Sequence, residues 1–98
     1  MLQFLLKIKA QIQSPTNWTV DYLCRDKFDV PCPCVCQPNI RKWSLVGATE
    51  LHTWEAGESL ETTRAVKAML DNKWPKTHAE TMGVLNHAIK KAQALQDG

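Results

Sequence analysis

Trp74-Pro75-Lys76-Thr77-His78-Ala79-Glu80, continuing to Leu95, is the stretch from which the fold is read. Thr77 followed three residues later by Glu80 is a capping box. The hydroxyl accepts from the backbone N–H of Glu80, and the glutamate reaches back to the N–H of Thr77. Losing such a cap costs roughly 1 kcal/mol. Pro75 disfavours helix at Trp74, so an upstream helix stops near there. Met82, Leu85, Ile89 and Ala92 recur at three- and four-residue steps, with Ala88 beside them, and form one apolar stripe. Lys90 and Lys91 stand near the far end, where positive charge suits the helix dipole. The pattern predicts a capped amphipathic helix against which the rest of the chain packs.

Working back from this helix, Asp71 to Pro75 closes an earlier one whose apolar face is Ala65, Val66, Met69 and Leu70. Ser59 is its expected cap, and Glu61 suits the positive end of its dipole. Glu55-Ala56-Gly57-Glu58 reads as a turn. Before it, Asn39 after Pro38 is the expected N-cap of a helix beginning at Ile40, with Trp43, Gly47, Leu51 and Trp54 on one face. Gly47 and Ala48 would let a neighbouring helix approach closely; a mid-helix glycine costs roughly 1 kcal/mol against alanine and needs such a reason. At the start of the chain, Leu5, Ile8 and Ile12 form the buried face of a first helix, which Ser14-Pro15-Thr16-Asn17 ends. Trp18 is expected to fold back onto it. Val20, Tyr22 and Cys24 alternate with polar or apolar neighbours, which suits either an extended segment or a short helix from Thr19.

The expected fold is therefore mostly α: residues 1–98 as a single domain, a compact bundle of about four helices, the last two an αα-hairpin. One long Cys/Pro-rich loop, or a short hairpin, follows helix one. That irregular stretch, Arg25 to Asn39, holds Pro31, Pro33 and Pro38 and three cysteines within five residues. A chain of 98 residues buries about 60–70% of its unfolded surface, enough for a modest core. The formal charge of +2 and basic residues scattered in pairs do not point to nucleic acid, whose specific binders concentrate their charge on one face. Met1 to Ala10 is apolar but short and interrupted by Lys7 and Lys9, which argues against a signal peptide and a membrane span. The expected compartment is the cytoplasm, where thiols stay reduced.

Three sets of residues carry chemistry. Cys24, Cys32, Cys34 and Cys36 give C-x7-C-x-C-x-C, enough thiolates for tetrahedral zinc, with His52 and His78 as substitutes. Structural zinc sites space their paired ligands by two to four residues, however, and here the pairs are one residue apart. A disulfide across one residue is strained. Packing as small apolar groups is the plainer reading, and neither metal nor cofactor is expected. The histidines are His52, His78 and His87; no catalytic signature surrounds them or any cysteine, so the reading is not an enzyme. His78, in the first turn after its cap, is expected in solvent, and His87 lies opposite Leu85 and Ile89. The tryptophans are Trp18, Trp43, Trp54 and Trp74. Trp74, in a turn between Lys73 and Lys76, either seals the end of the bundle or stands exposed as an anchor for a partner.

The ordered signals are an N-terminal helix, Asn17-Trp18, Arg25-Asp26, then Arg41-Lys42-Trp43-Ser44-Leu45-Val46-Gly47-Ala48, and finally Asp71-Asn72-Lys73-Trp74-Pro75-Lys76-Thr77 before the capped helix. Over most of the chain this resembles a family of short uncharacterised proteins of bacteria and their phages. That family carries a Trp-x-Leu-x-Gly-Ala helix and an Asn/Asp turn before a Thr-capped last helix. Ser44 stands where the family usually has cysteine, and Asp71-Asn72 reverses the usual order. The loop Val30 to Cys36 has no counterpart in it. The resemblance implies a helical fold and a gene carried by a phage or mobile element, with no established activity.

Together these readings lead to a small non-enzymatic protein that docks on another protein. If the phage association holds, the partner is a host enzyme or an immune complex such as a CRISPR effector. The expected contact surfaces are Arg25 to Asn39 and Asp71 to Thr77, with Phe28, Val35, Lys73, Trp74 and Lys76 as contact residues. The alternative is a small-ligand or nucleotide pocket lined by Trp18, Trp43 and Trp74. A third is a domain stabilised by metal on Cys24, Cys32, Cys34 and Cys36.

Overall fold

The computed structural model describes residues 1–20, 22–32, 40–55 and 60–97, without the side chains of 54, 55, 60, 96 and 97. The described chain is mostly helical. In order it runs through helix α1 (Leu2–Ile12), a short 3-10 turn (Pro15–Asn17), strands β1 (Cys24–Asp26), β2 (Pro31–Cys32) and β3 (Ile40–Trp43), and helices α2 (Leu45–Glu55), α3 (Leu60–Met69) and α4 (His78–Asp97). Its radius of gyration is 12.9 Å, close to the roughly 13 Å of a compact chain of this length.

Helix α1 lies against both α2 and α4, and α3 against both of those. Leu5, Ile8 and Ile12 are fully buried, as their spacing predicts, and Phe4 joins them. Leu85, Ala88, Ile89 and Ala92 of α4 are buried against this face, while Met82 is only half-buried. Thr77 caps α4, its hydroxyl accepting from the N–H of Glu80 at 3.2 Å. Val66 and Leu70 supply the apolar side of α3; Ala65, expected beside them, is exposed. Ser59 lies outside the described residues.

Helix α3 ends in a Schellman motif. The N–H of Asn72 donates to the Lys67 carbonyl at 3.0 Å and that of Asp71 to Ala68 at 2.9 Å. Asp71 and Asn72 both adopt the left-handed conformation, with φ of 58° and 51°. Aspartate and asparagine tolerate that region better than other non-glycine residues, so this dipeptide stops the helix and turns the chain toward Trp74. The Lys91 ammonium meets the Asp71 carboxylate at 3.1 Å and holds its pKa below the ordinary value.

The second helix differs from the sequence expectation. Ile40 to Trp43 form β3, not the first turn of a helix, and the cap is Ser44, whose Oγ accepts from the N–H of Gly47 at 3.0 Å. Asn39, the expected cap, lies outside the described residues. Strand β3 is extended because β1 supplies its partner: Arg25 faces Lys42 and Cys24 faces Trp43, antiparallel. The buried face of α2 does not start at Trp43, which lies in β3, and Leu51 is only half-buried. It runs through Leu45, Ala48, Thr49 and Thr53, with Gly47 buried beside it; the Trp54 side chain is not described. The threonines are tolerated because their hydroxyls turn back on the helix, Thr49 to the Leu45 carbonyl at 2.8 Å and Thr53 to that of Thr49 at 3.0 Å. Thr63 of α3 donates to the Thr53 hydroxyl at 2.9 Å, closing a buried polar chain between the two helices.

Of the expected long loop, the described part is a hairpin. Strand β1 lies in the middle of the sheet, with order β2-β1-β3, and Cys24 faces Cys32. Lys27, Phe28 and Asp29 form its three-residue tip, with Asp29 left-handed at φ 64°. Asp26 braces the tip, its Oδ1 accepting from the N–H groups of Phe28 at 2.8 Å and Val30 at 3.0 Å.

Candidate functional site

One interaction carries the geometry of the site. The Leu23 carbonyl, just before β1, accepts from the N–H of Ser44 at 3.0 Å and from its hydroxyl at 3.1 Å. It lies so close over α2 that a side chain on Gly47 would run into it. Gly47 therefore serves the approach of a backbone carbonyl, where the sequence suggested a neighbouring helix. A second tie joins the N–H of Thr19 to the Trp43 carbonyl at 3.1 Å. Together they hold Thr19 to the end of β3 and Leu23 to the first turn of α2.

Between this segment and the turn before α4 lies a groove of about 480 Å³. It is lined by Trp18, Val20, Tyr22 and Leu23, by Leu45 and Val46 at the start of α2, and by Trp74, Pro75 and Lys76. The His78 ring meets the Trp18 ring edge-on, with 5.7 Å between their centres. His78 is not in solvent as expected. It is half-buried, and its Nε2 lies 2.8 Å from the Ile12 carbonyl, one of the orphan acceptors at the end of α1. This contact ties the start of α4 to the end of α1. Trp74 lines the groove and is 41% exposed.

The residues picked from the sequence separate here. Trp74 and Lys76 share the groove with Trp18. Trp43 does not line it; that ring packs into the core, with its Nε1 buried and without a partner among the described residues. Lys73 turns to the other side of the loop, beside Glu80, Val84 and His87. Phe28 is 74% exposed at the hairpin tip, with Lys27 over its ring at 5.2 Å. Val35 lies outside the described residues. Tyr22, Leu23, Leu45 and Val46 were missed. A Ser-x-x-Gly cap at Ser44 was the available signal that Leu45 and Val46 open a helix.

No family model, curated protein or solved structure matches the chain.

Lys76 makes no ion pair among the described residues. Arg25 is not among the lining residues but contacts two of them, Thr19 and Tyr22. Its Nε donates to the Thr19 hydroxyl at 3.1 Å, its guanidinium stacks 5.1 Å from the centre of the Tyr22 ring, and Nη1 donates to the Asp29 carbonyl at 2.7 Å. No acidic residue lines the groove among the described residues, Asp21 being outside them.

The cysteines form a small cluster of their own. Cys24 and Cys32 are buried and face each other across β1 and β2. The Cys24 thiol donates to the Cys32 carbonyl at 3.5 Å. Burial, reinforced by the neighbouring Cys32 thiol, pushes the Cys24 pKa up to about 11, so it is a protonated thiol at neutral pH. Among the described residues no three His, Cys, Asp or Glu side chains gather as a metal site. Cys34 and Cys36 lie outside the described residues. Nor does any helix among the described residues have the length and apolarity to cross a membrane.

Proposed function

We propose that this is a small non-enzymatic binding protein that docks on another protein through the groove between Trp18 and Trp74. The observation that carries this reading is the half-exposed Trp74 lining an apolar groove, next to Lys76, which makes no ion pair among the described residues. Aromatic side chains at the edge of a pocket are the residues enriched among binding hot spots. The groove walls are held by backbone hydrogen bonds and by His78, so little order has to be gained on binding. The resemblance to bacterial and phage proteins makes a host protein, such as an enzyme or a CRISPR effector complex, the partner to look for.

A second reading rests on the groove's size. Its volume falls within the 300–1,000 Å³ range typical of small-molecule sites, so a small ligand between Trp18 and Trp74 is the competing proposal. Affinity capture from host lysate, run beside native mass spectrometry of the purified protein, separates the two. A protein that co-purifies with the wild type and is lost with Trp74→Ala, at unchanged circular dichroism, supports docking. Loss of about 1–2 kcal/mol is the expected effect of removing the anchor. A small molecule retained by the wild type and absent from Trp74→Ala overturns it.

A further inference from the structure

We propose that Cys24 and Cys32 form a disulfide across β1 and β2 when the chain folds in the presence of a small disulfide oxidant, and that the folded protein then keeps whichever redox state it folded in. The proposal rests on the hairpin and is independent of the docking reading.

Register brings the two sulfurs together. Cys24 and Cys32 are directly opposed in an antiparallel ladder. Residues so opposed have Cα atoms about 4.5–5.5 Å apart, inside the roughly 4.4–6.8 Å window of disulfides. Their side chains leave the sheet on the same face, where both are buried. The Cys32 side chain hydrogen-bonds that of Cys24, whose thiol also donates to the Cys32 carbonyl at 3.5 Å. Both residues are thiols in this structure. The register has its own support: Asp26 braces the three-residue tip, and turn length fixes which residues of a hairpin face each other. The bonds that sequence proximity alone would favour, Cys32 to Cys34 or Cys34 to Cys36, span one residue and are strained.

Burial sets the timing. Leu23, Ile40, Trp43 and Leu51 pack against the pair. Cys32 borders the groove, yet it is only 6% exposed. Once folded, Cys24 is held as a protonated thiol, because burial and then the neighbouring Cys32 raise its pKa to about 11. The nucleophile in exchange is the thiolate, so the reaction belongs to the chain before its hairpin is covered. There, one cysteine thiolate attacks a sulfur of oxidised glutathione, forms a mixed disulfide and releases one glutathione. As the hairpin closes, the second thiolate attacks the protein sulfur of the mixed disulfide and expels the other glutathione. The chain gives up two protons and two electrons, and oxidised glutathione becomes two glutathione molecules. In the folded protein the bond is as shielded from reductant as the two thiols are from oxidant.

The test uses the full chain with Cys34→Ser and Cys36→Ser, which leaves Cys24 and Cys32 as its cysteines. It is unfolded in urea and refolded by dilution, once with a glutathione mixture rich in the oxidised form and once with a phosphine reductant. Intact mass and thiol titration in denaturant read the bond, and circular dichroism reads the fold and Tm. The oxidised product should be a monomer lighter by two hydrogens, without titratable thiol, and with a Tm about 10 °C above that of the reduced one. Reduced protein that is already folded should form the bond at least about tenfold more slowly in the same mixture. A second comparison keeps all other residues native: the wild type should show the oxidative rise in Tm, and Cys24→Ala should lose it. A product that ends as a glutathione adduct, as a disulfide-linked dimer, or as a bonded monomer no more stable than the reduced form overturns the pairing, as does a rise that survives Cys24→Ala. Equally fast bond formation in the folded protein overturns the trapping.

Discussion

Gly47→Ala is the sharpest test of the architecture, because its expected effect has the opposite sign to the usual one. In an ordinary helix interior the change stabilises by about 1 kcal/mol. Here the added methyl runs into the Leu23 carbonyl oxygen and stands 2.8 Å from its carbon. The obstacle is backbone, held by the N–H and the hydroxyl of Ser44, so it cannot swing aside as a side-chain tip would. Relief requires opening the seam between Leu23 and the start of α2. Two hydrogen bonds at about 1 kcal/mol each are then lost or stretched. Overpacking adds about 1–3 kcal/mol. Against the propensity gain, the net is about 2–4 kcal/mol of destabilisation. For a chain of this length each kcal/mol moves Tm by about 4–8 °C, so the midpoint should drop by roughly 10–25 °C. Thermal and urea unfolding followed by circular dichroism measure this directly. Gly83→Ala is the control: it lies on the exposed side of α4 with nothing within 4 Å, and it should raise Tm by several degrees. A Gly47→Ala midpoint at or above that of the wild type would show that the Leu23 carbonyl does not lie over α2, and the groove built on that seam would go with it.

Removing the α4 cap by Thr77→Ala should cost about 1 kcal/mol, with Thr77→Ser recovering most of it, as read from urea midpoints at constant m-value. The Asp71–Lys91 pair sets an acid dependence. Asp71's folded pKa lies below its ordinary 3.8, so its contribution is present above that value and disappears as pH falls through the lowered folded one. The Tm difference between wild type and Asp71→Asn, positive at neutral pH, should therefore vanish in acid and shrink in high salt; a constant difference would count against the pair. At the other end of the scale, Cys24's folded pKa of about 11 lies above its ordinary 9.0. Its contribution is complete below pH 9 and is lost as pH rises toward 11, so Cys24→Ala should flatten part of the alkaline decline in Tm. Native Cys24 and Cys32 should also resist iodoacetamide at pH 8 until the protein is denatured, as buried thiols do.

Helices α1 and α4 were legible in the sequence because their signals are local. Leu5, Ile8 and Ile12 declare a face by spacing alone, and Thr77 and Glu80 mark a start within one turn. Asp71-Asn72 was legible as a stop, though not as a Schellman turn. Helix α2 was misread because half of its buried face is threonine, polar by its letter but satisfied by its own helix carbonyls. Strand β3 was misread because Ile40, Trp43 and Gly47 happen to fall at helical spacing, and no local rule reveals that β1 offers a pairing edge.

The sequence by itself determined where the chain stiffens into helices, where it must turn, and that Trp74 and Lys76 share a turn. Only the tertiary structure decided which of these residues meet. The groove depends on the Leu23–Ser44 contact, which joins positions 21 residues apart, and on the Ile12–His78 contact, which spans 66. Periodicity and capping act over three or four residues, and so say which face of an element is apolar. They carry no information about which distant carbonyl will close over Gly47, or which side chains will then line the same groove.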